Sequence, residues 1–261
     1  MAARAALAAA APTLVMPQSG GQLSGAGGSN AGNLGSSGSI GGVANGSPTF
    51  SDNFSGGIDP SKWGVNYSWG KIQGDPTQYA AYTDSLNSDV FSTGPNGLNI
   101  AIKPNALDGK PAETGQIHSK QAFQYGYVEM TATLPTTKGV GGAFWMMPTD
   151  GSGTYTELDM MESLGQDPGT VYSTVHDGGG QQQAVVNVPG GVQSPHTYGM
   201  DWEPDKTTFY FDGNVTKSID TPASSAPISC WNTPKLWDGL KGLEQVGDAP
   251  QTAREPRRHA A

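Results

Sequence analysis

The 261 residues suffice for one large β domain or two small ones, and 38 Gly, 19 Pro and only 14% charged residues disfavour helix. A net charge of −9 excludes nucleic acid and anionic membrane surfaces as partners, because binding phosphate takes clustered Lys and Arg. The lone cysteine, Cys230, excludes an internal disulfide and a cysteine-based zinc site, and no apolar run reaches the ~18 residues that span a bilayer.

In chain order, residues 1–17 carry one positive charge, Arg4, and an Ala/Leu/Val stretch broken by Pro12. They resemble a clipped secretory signal, which implies a secreted or cell-surface protein; a disordered Ala-rich terminus is the alternative. In residues 18–47, 18 of 30 are Gly or Ser and none is charged, so this stretch reads as a flexible linker. From Pro48 the texture changes to short apolar alternations separated by Gly, Pro, Asn and Asp. Leu98, Ile100 and Ile102 share one face; so do Val128, Met130, Ala132 and Leu134, opposite Tyr127, Glu129, Thr131 and Thr133. Residues 196–202 and 207–212 alternate likewise, with His196 and Trp202 read as packing residues. Asp212-Gly213, between Phe209-Tyr210-Phe211 and Val215, is the strongest hairpin signal, because it supplies the positive φ of a type I′ turn. No segment has helical periodicity, and many short strands with turns between them predict an all-β sandwich or barrel.

Residues 228–261 differ from what precedes them. Every positive charge between Thr49 and Pro227 is a Lys, whereas the chain then ends with Arg254, Arg257 and Arg258 and also holds its cysteine there. Strand alternation is expected to stop at Pro227. A shifted reading frame or a misjoined gene accounts for the change; a natural basic tail is the alternative.

The chemistry concentrates in Glu157-Leu158-Asp159-Met160-Met161-Glu162. Strand alternation puts Glu157 and Asp159 on one face and Leu158 on the other, and strict alternation would send Glu162 to the apolar side. One extra residue at Met160-Met161, a β-bulge, returns Glu162 to the face of Glu157 and Asp159. Carboxylates gathered so closely cannot all ionise freely, and glycoside hydrolysis needs that split between an ionised nucleophile and a protonated acid. With a backbone separation of about 13 Å, the two glutamates must lean together to approach the ~5–5.5 Å of a retaining pair. Judged from the residues alone, a solvated acidic strand face and a calcium-binding cluster remain open beside the catalytic reading.

This hexapeptide resembles the active-site motif of glycoside hydrolase family 16 in its bulged form, and other segments agree in order and spacing. They are Phe50-Ser51-Asp52-Asn53-Phe54 with Ser61-Lys62-Trp63, Ser119-Lys120 with Tyr125-Gly126-Tyr127-Val128-Glu129, and Gly142-Ala143-Phe144-Trp145-Met146-Met147-Pro148. His196 to Trp202 and Phe209 to Gly213 follow the acidic strand. The resemblance covers roughly residues 48–227. It implies a two-sheet β-sandwich jelly roll, concanavalin A-like, that binds a polysaccharide in a cleft. It also implies Glu157 as nucleophile, Glu162 as acid/base and Asp159 as assisting carboxylate of a retaining endo-β-glycanase on β-1,3 or mixed β-1,3/1,4 glucan, or a related bacterial exopolysaccharide. Trp145 is expected to stack on a sugar or to pack between sheets. His176 shares the parity of Tyr172 and Thr174 and is expected in the cleft beside Glu162. Tyr79 and Tyr82 are candidates for the rim.

The chain departs from the family after the Asp212-Gly213 hairpin, where members add strands that close the sandwich. Ending the fold at Pro227 would leave ladder groups unpaired, at ~1–3 kcal/mol for each buried orphan against a total stability of ~5–15 kcal/mol. A jelly roll incomplete at its C-terminus, and an inactive product, are therefore expectations beside the enzyme. A non-catalytic glycan-binding module is another. The glycanase chemistry requires no cofactor, and a structural calcium near the termini is a doubtful expectation. The working form is expected to be a monomer.

Overall fold

Sixteen strands and no helix carry the described residues of the computed structural model, which are 6–8, 50–65, 79–148, 157–177, 180–220 and 228–236. The linker, nearly all of the signal-like segment and the chain beyond 236 lie outside them. In chain order the strands are β1 Ala6–Ala8, β2 Trp63–Gly64, β3 Ala80–Tyr82, β4 Phe91–Gly94, β5 Gly97–Ala101, β6 Ala112–Thr114, β7 Ile117–Ser119 and β8 Gly126–Ala132. They continue as β9 Val140–Pro148, β10 Glu157–Leu164, β11 Thr170–His176, β12 Gln181–Asn187, β13 His196–Trp202, β14 Lys206–Phe211, β15 Asn214–Asp220 and β16 Ile228–Leu236.

Two sheets make the sandwich. One has seven strands in the order β12-β11-β10-β9-β16-β7-β2, and the other has four in the order β15-β14-β13-β8. Alternation explains why they stack. Phe144, Met146, Leu158, Val171, Val175 and Val186 of the larger sheet share one buried cluster with Val128, Met130, Tyr198, Met200, Trp202 and Phe209 of the smaller. Burying each large apolar side chain contributes roughly 1.5–3 kcal/mol, so this shared cluster holds the layers together. The opposite face of the larger sheet is left for chemistry.

The Asp212-Gly213 turn forms as its residues require, with φ of 45° and 79°, joining β14 to β15. Asp212 also accepts a hydrogen bond from the Thr197 amide and lies 2.7 Å from His196 Nδ1, so the turn is tied to β13. His196 packs against Phe211, and Trp202 is buried against Tyr125.

Strand pairing continues past Pro227, where alternation was expected to stop. β16 runs antiparallel to β9 over all nine of its residues and pairs with β7 at Trp231 and Asn232. Its sequence does not alternate cleanly, and backbone pairing with β9 places it in the sheet. Pro234 lies past the two residues that pair with β7, where one side of the strand needs no donor.

Candidate active site

β10 carries the site, and its register against both neighbours breaks after Asp159. Against β9, Asp159 pairs with Trp145 and Met161 with Phe144, leaving Met160 as the extra residue. Met160 and Met161 are both buried in the core cluster, so two consecutive side chains point inward and alternation restarts one residue late. Glu162 consequently returns to the face of Glu157 and Asp159. A bulge leaves its extra residue outside the ladder; here the orphaned Met160 carbonyl accepts a hydrogen bond from the buried Ser173 hydroxyl at 2.9 Å. On the same strand Ser163 Oγ receives the Gly142 amide at 3.0 Å. Directly after β10, Gly165 passes so close to the 137–140 backbone that a Cβ would lie 2.1 Å from the Thr137 carbonyl oxygen, so only glycine fits.

Pairing with β11 places Glu157 opposite His176, Asp159 opposite Thr174 and Glu162 opposite Tyr172. Glu157 and Glu162 are half-buried, and Asp159 between them is 1% exposed. His176 Nε2 lies 2.8 Å from Asp159 Oδ2. His176 thus lies on the carboxylate face, in contact with Asp159 and paired across the strands with Glu157. That hydrogen bond to Asp159 is the main cause that raises the His176 pKa above its ordinary value, against the opposing effect of burial. The negative charges of Asp159, Glu157 and Glu162 add to the rise. Asp159 Oδ1 is buried and accepts no hydrogen bond among the described residues.

One donor atom each from Glu157, Asp159 and His176 lie within 4.8 Å of one another. A calcium ion takes six to eight oxygen ligands, and this set offers two carboxylates and a nitrogen already bonded to one of them. The cluster suits proton and charge management better than calcium binding.

Trp145 stands opposite Asp159 on the carboxylate face and is 6% exposed, packed with Ala143 and Met147. Tyr79 packs against Ala80, Ala112 and Val140, and Tyr82 is 6% exposed on β3. Neither tyrosine belongs to the carboxylate sheet. Sequence reasoning missed Ser173, because a hydroxyl that acts across strands leaves no trace in the periodicity of its own strand.

The glycosyl hydrolases family 16 model matches residues 78–241, more than half of the chain and all of β10. The endo-1,3-1,4-β-glycanase EglC of Rhizobium meliloti (strain 1021) is 31% identical over 199 residues, covering 67% of this chain and 43% of that protein. The glucan endo-1,3-β-glucosidase A1 of Niallia circulans is 31% identical over 194 residues, covering 63% of this chain and 28% of that protein. This chain thus spans less than half the length of these two relatives. The laminarinase catalytic domain of Thermotoga maritima MSB8 superposes with a TM-score of 0.64 at 24% identity, over 76% of this chain and 90% of that one, and shares the fold. Bulged acidic strand, two-sheet sandwich and family match agree: the chain belongs to the glycosyl hydrolases family 16.

Proposed function

We propose that the chain is a retaining endo-β-glycanase that hydrolyses β-1,3 or mixed β-1,3/1,4 glucan, or a related bacterial exopolysaccharide. The observation that carries this is the bulge at Met160, which sets Glu157 and Glu162 on one face around a buried Asp159. Glu157 attacks the anomeric carbon as its carboxylate, while Glu162 gives its proton to the departing glycosidic oxygen. Water, deprotonated by Glu162, then releases the sugar from Glu157, and the anomeric configuration is retained. Asp159 assists by placing a buried negative charge between the two glutamates, and His176 holds it there through the 2.8 Å contact. No cofactor takes part in these steps. A polymeric substrate too large to enter the cell suits an enzyme that works outside it, and this one acts as a monomer.

The test is release of reducing ends from laminarin and lichenan. Glu162→Gln should lower kcat by about 10²–10⁴-fold, the usual worth of a general acid/base, and Glu157→Gln at least as much. NMR of the first product should show the retained anomer. Full activity in Glu157→Gln, or an inverted first product, would end the assignment. Binding without release would instead identify a glycan-binding module.

A further inference from the structure

The edge strand β12 continues the carboxylate face. Its pairing with β11 is unbroken over seven residues, so three rows can be followed from β10 across the sheet. Glu157, His176 and Gln181 form one row; Asp159, Thr174 and Gln183 the next; Glu162, Tyr172 and Val185 the third. Gln181, Gln183 and Val185 are exposed, Val185 at 62%, whereas Ala184 and Val186 between and beside them are buried in the opposite direction. Exposed apolar surface on a strand edge is a liability unless something uses it.

We infer that β12 is an outer saccharide subsite of the cleft, in which Gln181 and Gln183 bind the hydroxyls of a neutral β-glucan chain and Val185 with Tyr172 supports the apolar face of a sugar ring. The inference rests on the glycanase reading for its ligand and on the strand register for its place. Two strand spacings, roughly 9–10 Å, separate β12 from β10, so β12 underlies a sugar beyond the bond being cleaved. Amides suit that role, because each carries two N–H donors and an acceptor oxygen that match the donor and acceptor of a hydroxyl without introducing charge. Gln183 is already oriented by donating to Thr174 Oγ1 at 3.2 Å, which lowers the entropy lost when a ligand binds. The strand is braced from behind: Lys217 donates to the Gln183 carbonyl at 2.8 Å, and Gln182 reaches the Asp220 carbonyl at 3.4 Å. Three carboxylates at the centre of the face disfavour an anionic polymer and select a neutral one.

Affinity electrophoresis in gels containing laminarin or lichenan tests this. The full chain carries Glu157→Gln throughout, so the polymer stays intact and the readout does not depend on cleavage. Adding Gln181→Ala with Gln183→Ala should weaken binding about tenfold, as the loss of two neutral hydrogen bonds implies. Adding Val215→Ala, at a valine of the smaller sheet as exposed as Val185, should leave binding unchanged. Equal retardation of the double variant and its parent overturns the subsite, as does an equal loss in the Val215→Ala chain. So does tighter retention in gels of an anionic glucan than in neutral ones. Absence of reducing ends from the chain with Glu157 intact, alongside the predicted pattern of retardation, would overturn the hydrolase reading alone.

Discussion

Asp159 is 1% exposed and lies between two half-buried glutamates, an arrangement that would be costly without a compensating charge. His176 supplies it. Because the hydrogen bond to Asp159 raises the His176 pKa, the folded protein holds that proton more tightly than the unfolded chain does. The stabilisation is therefore complete below the unfolded value of about 6.5 and fades as pH rises through the raised folded value. Two measurements check this. The His176 ring should titrate by NMR above 6.5 in the native chain and lower in Asp159→Asn, where burial still acts but the main raising cause is gone. Denaturation midpoints of His176→Gln should converge on those of the parent as pH rises past the His176 midpoint and diverge below it. A midpoint for His176 that ignores Asp159→Asn would show that the pair does not hold. The sequence displayed the parity that sends His176 to the carboxylate face. It did not display which carboxylate the ring meets, because that depends on the register of β10 against β11 after the bulge.

At the scale of the element, the bulge in β10 was legible in six residues. Glu157, Asp159 and Glu162 can share a face only if one residue drops out of step, and two adjacent methionines are side chains that a core can absorb. What was not legible is how the displaced backbone is satisfied. Ser173 sits on β11, thirteen positions away, and its hydroxyl reaches the Met160 carbonyl inside the sheet. Ser173→Ala leaves that buried acceptor without its donor and should cost ~1–3 kcal/mol. The melting temperature should fall by ~2–4 °C for each kcal/mol lost. Because the same bond fixes the kink that aims Glu162, kcat should fall as well, whereas a purely structural serine would change stability alone. Melting curves and laminarin hydrolysis on the same preparations separate these outcomes; an unaltered kcat would mean that the methionines alone hold the kink.

At the scale of the whole molecule, the sandwich and its two faces followed from alternation, while the strand past Pro227 did not. Strands such as β8 and β13 announce themselves because one side of each is buried and the other is not. β16 gives no such signal. Its residues Ile228–Leu236 include Ser229, Asn232, Thr233 and Pro234, and it is held by backbone pairing with β9 along its full length. Removing it would turn β9 into an edge, and β9 is the strand that backs Asp159 through Trp145. It would also part β7 and β2 from the rest of the larger sheet, since among the described strands β16 lies between β9 and β7. β9 and β7 would each lose the ladder partner between them, and the parted sheet would uncover the apolar core beneath it. A chain ending at Pro227 should therefore fail to unfold cooperatively and should release no reducing ends from laminarin. A chain ending at Lys241, where the family match stops, should melt cooperatively and keep the activity of the full sequence. Circular dichroism melts of the two truncations, read beside the 261-residue chain, decide the matter. A cooperative melt from the shorter chain would mean that β9 and β7 hold their places without β16 between them.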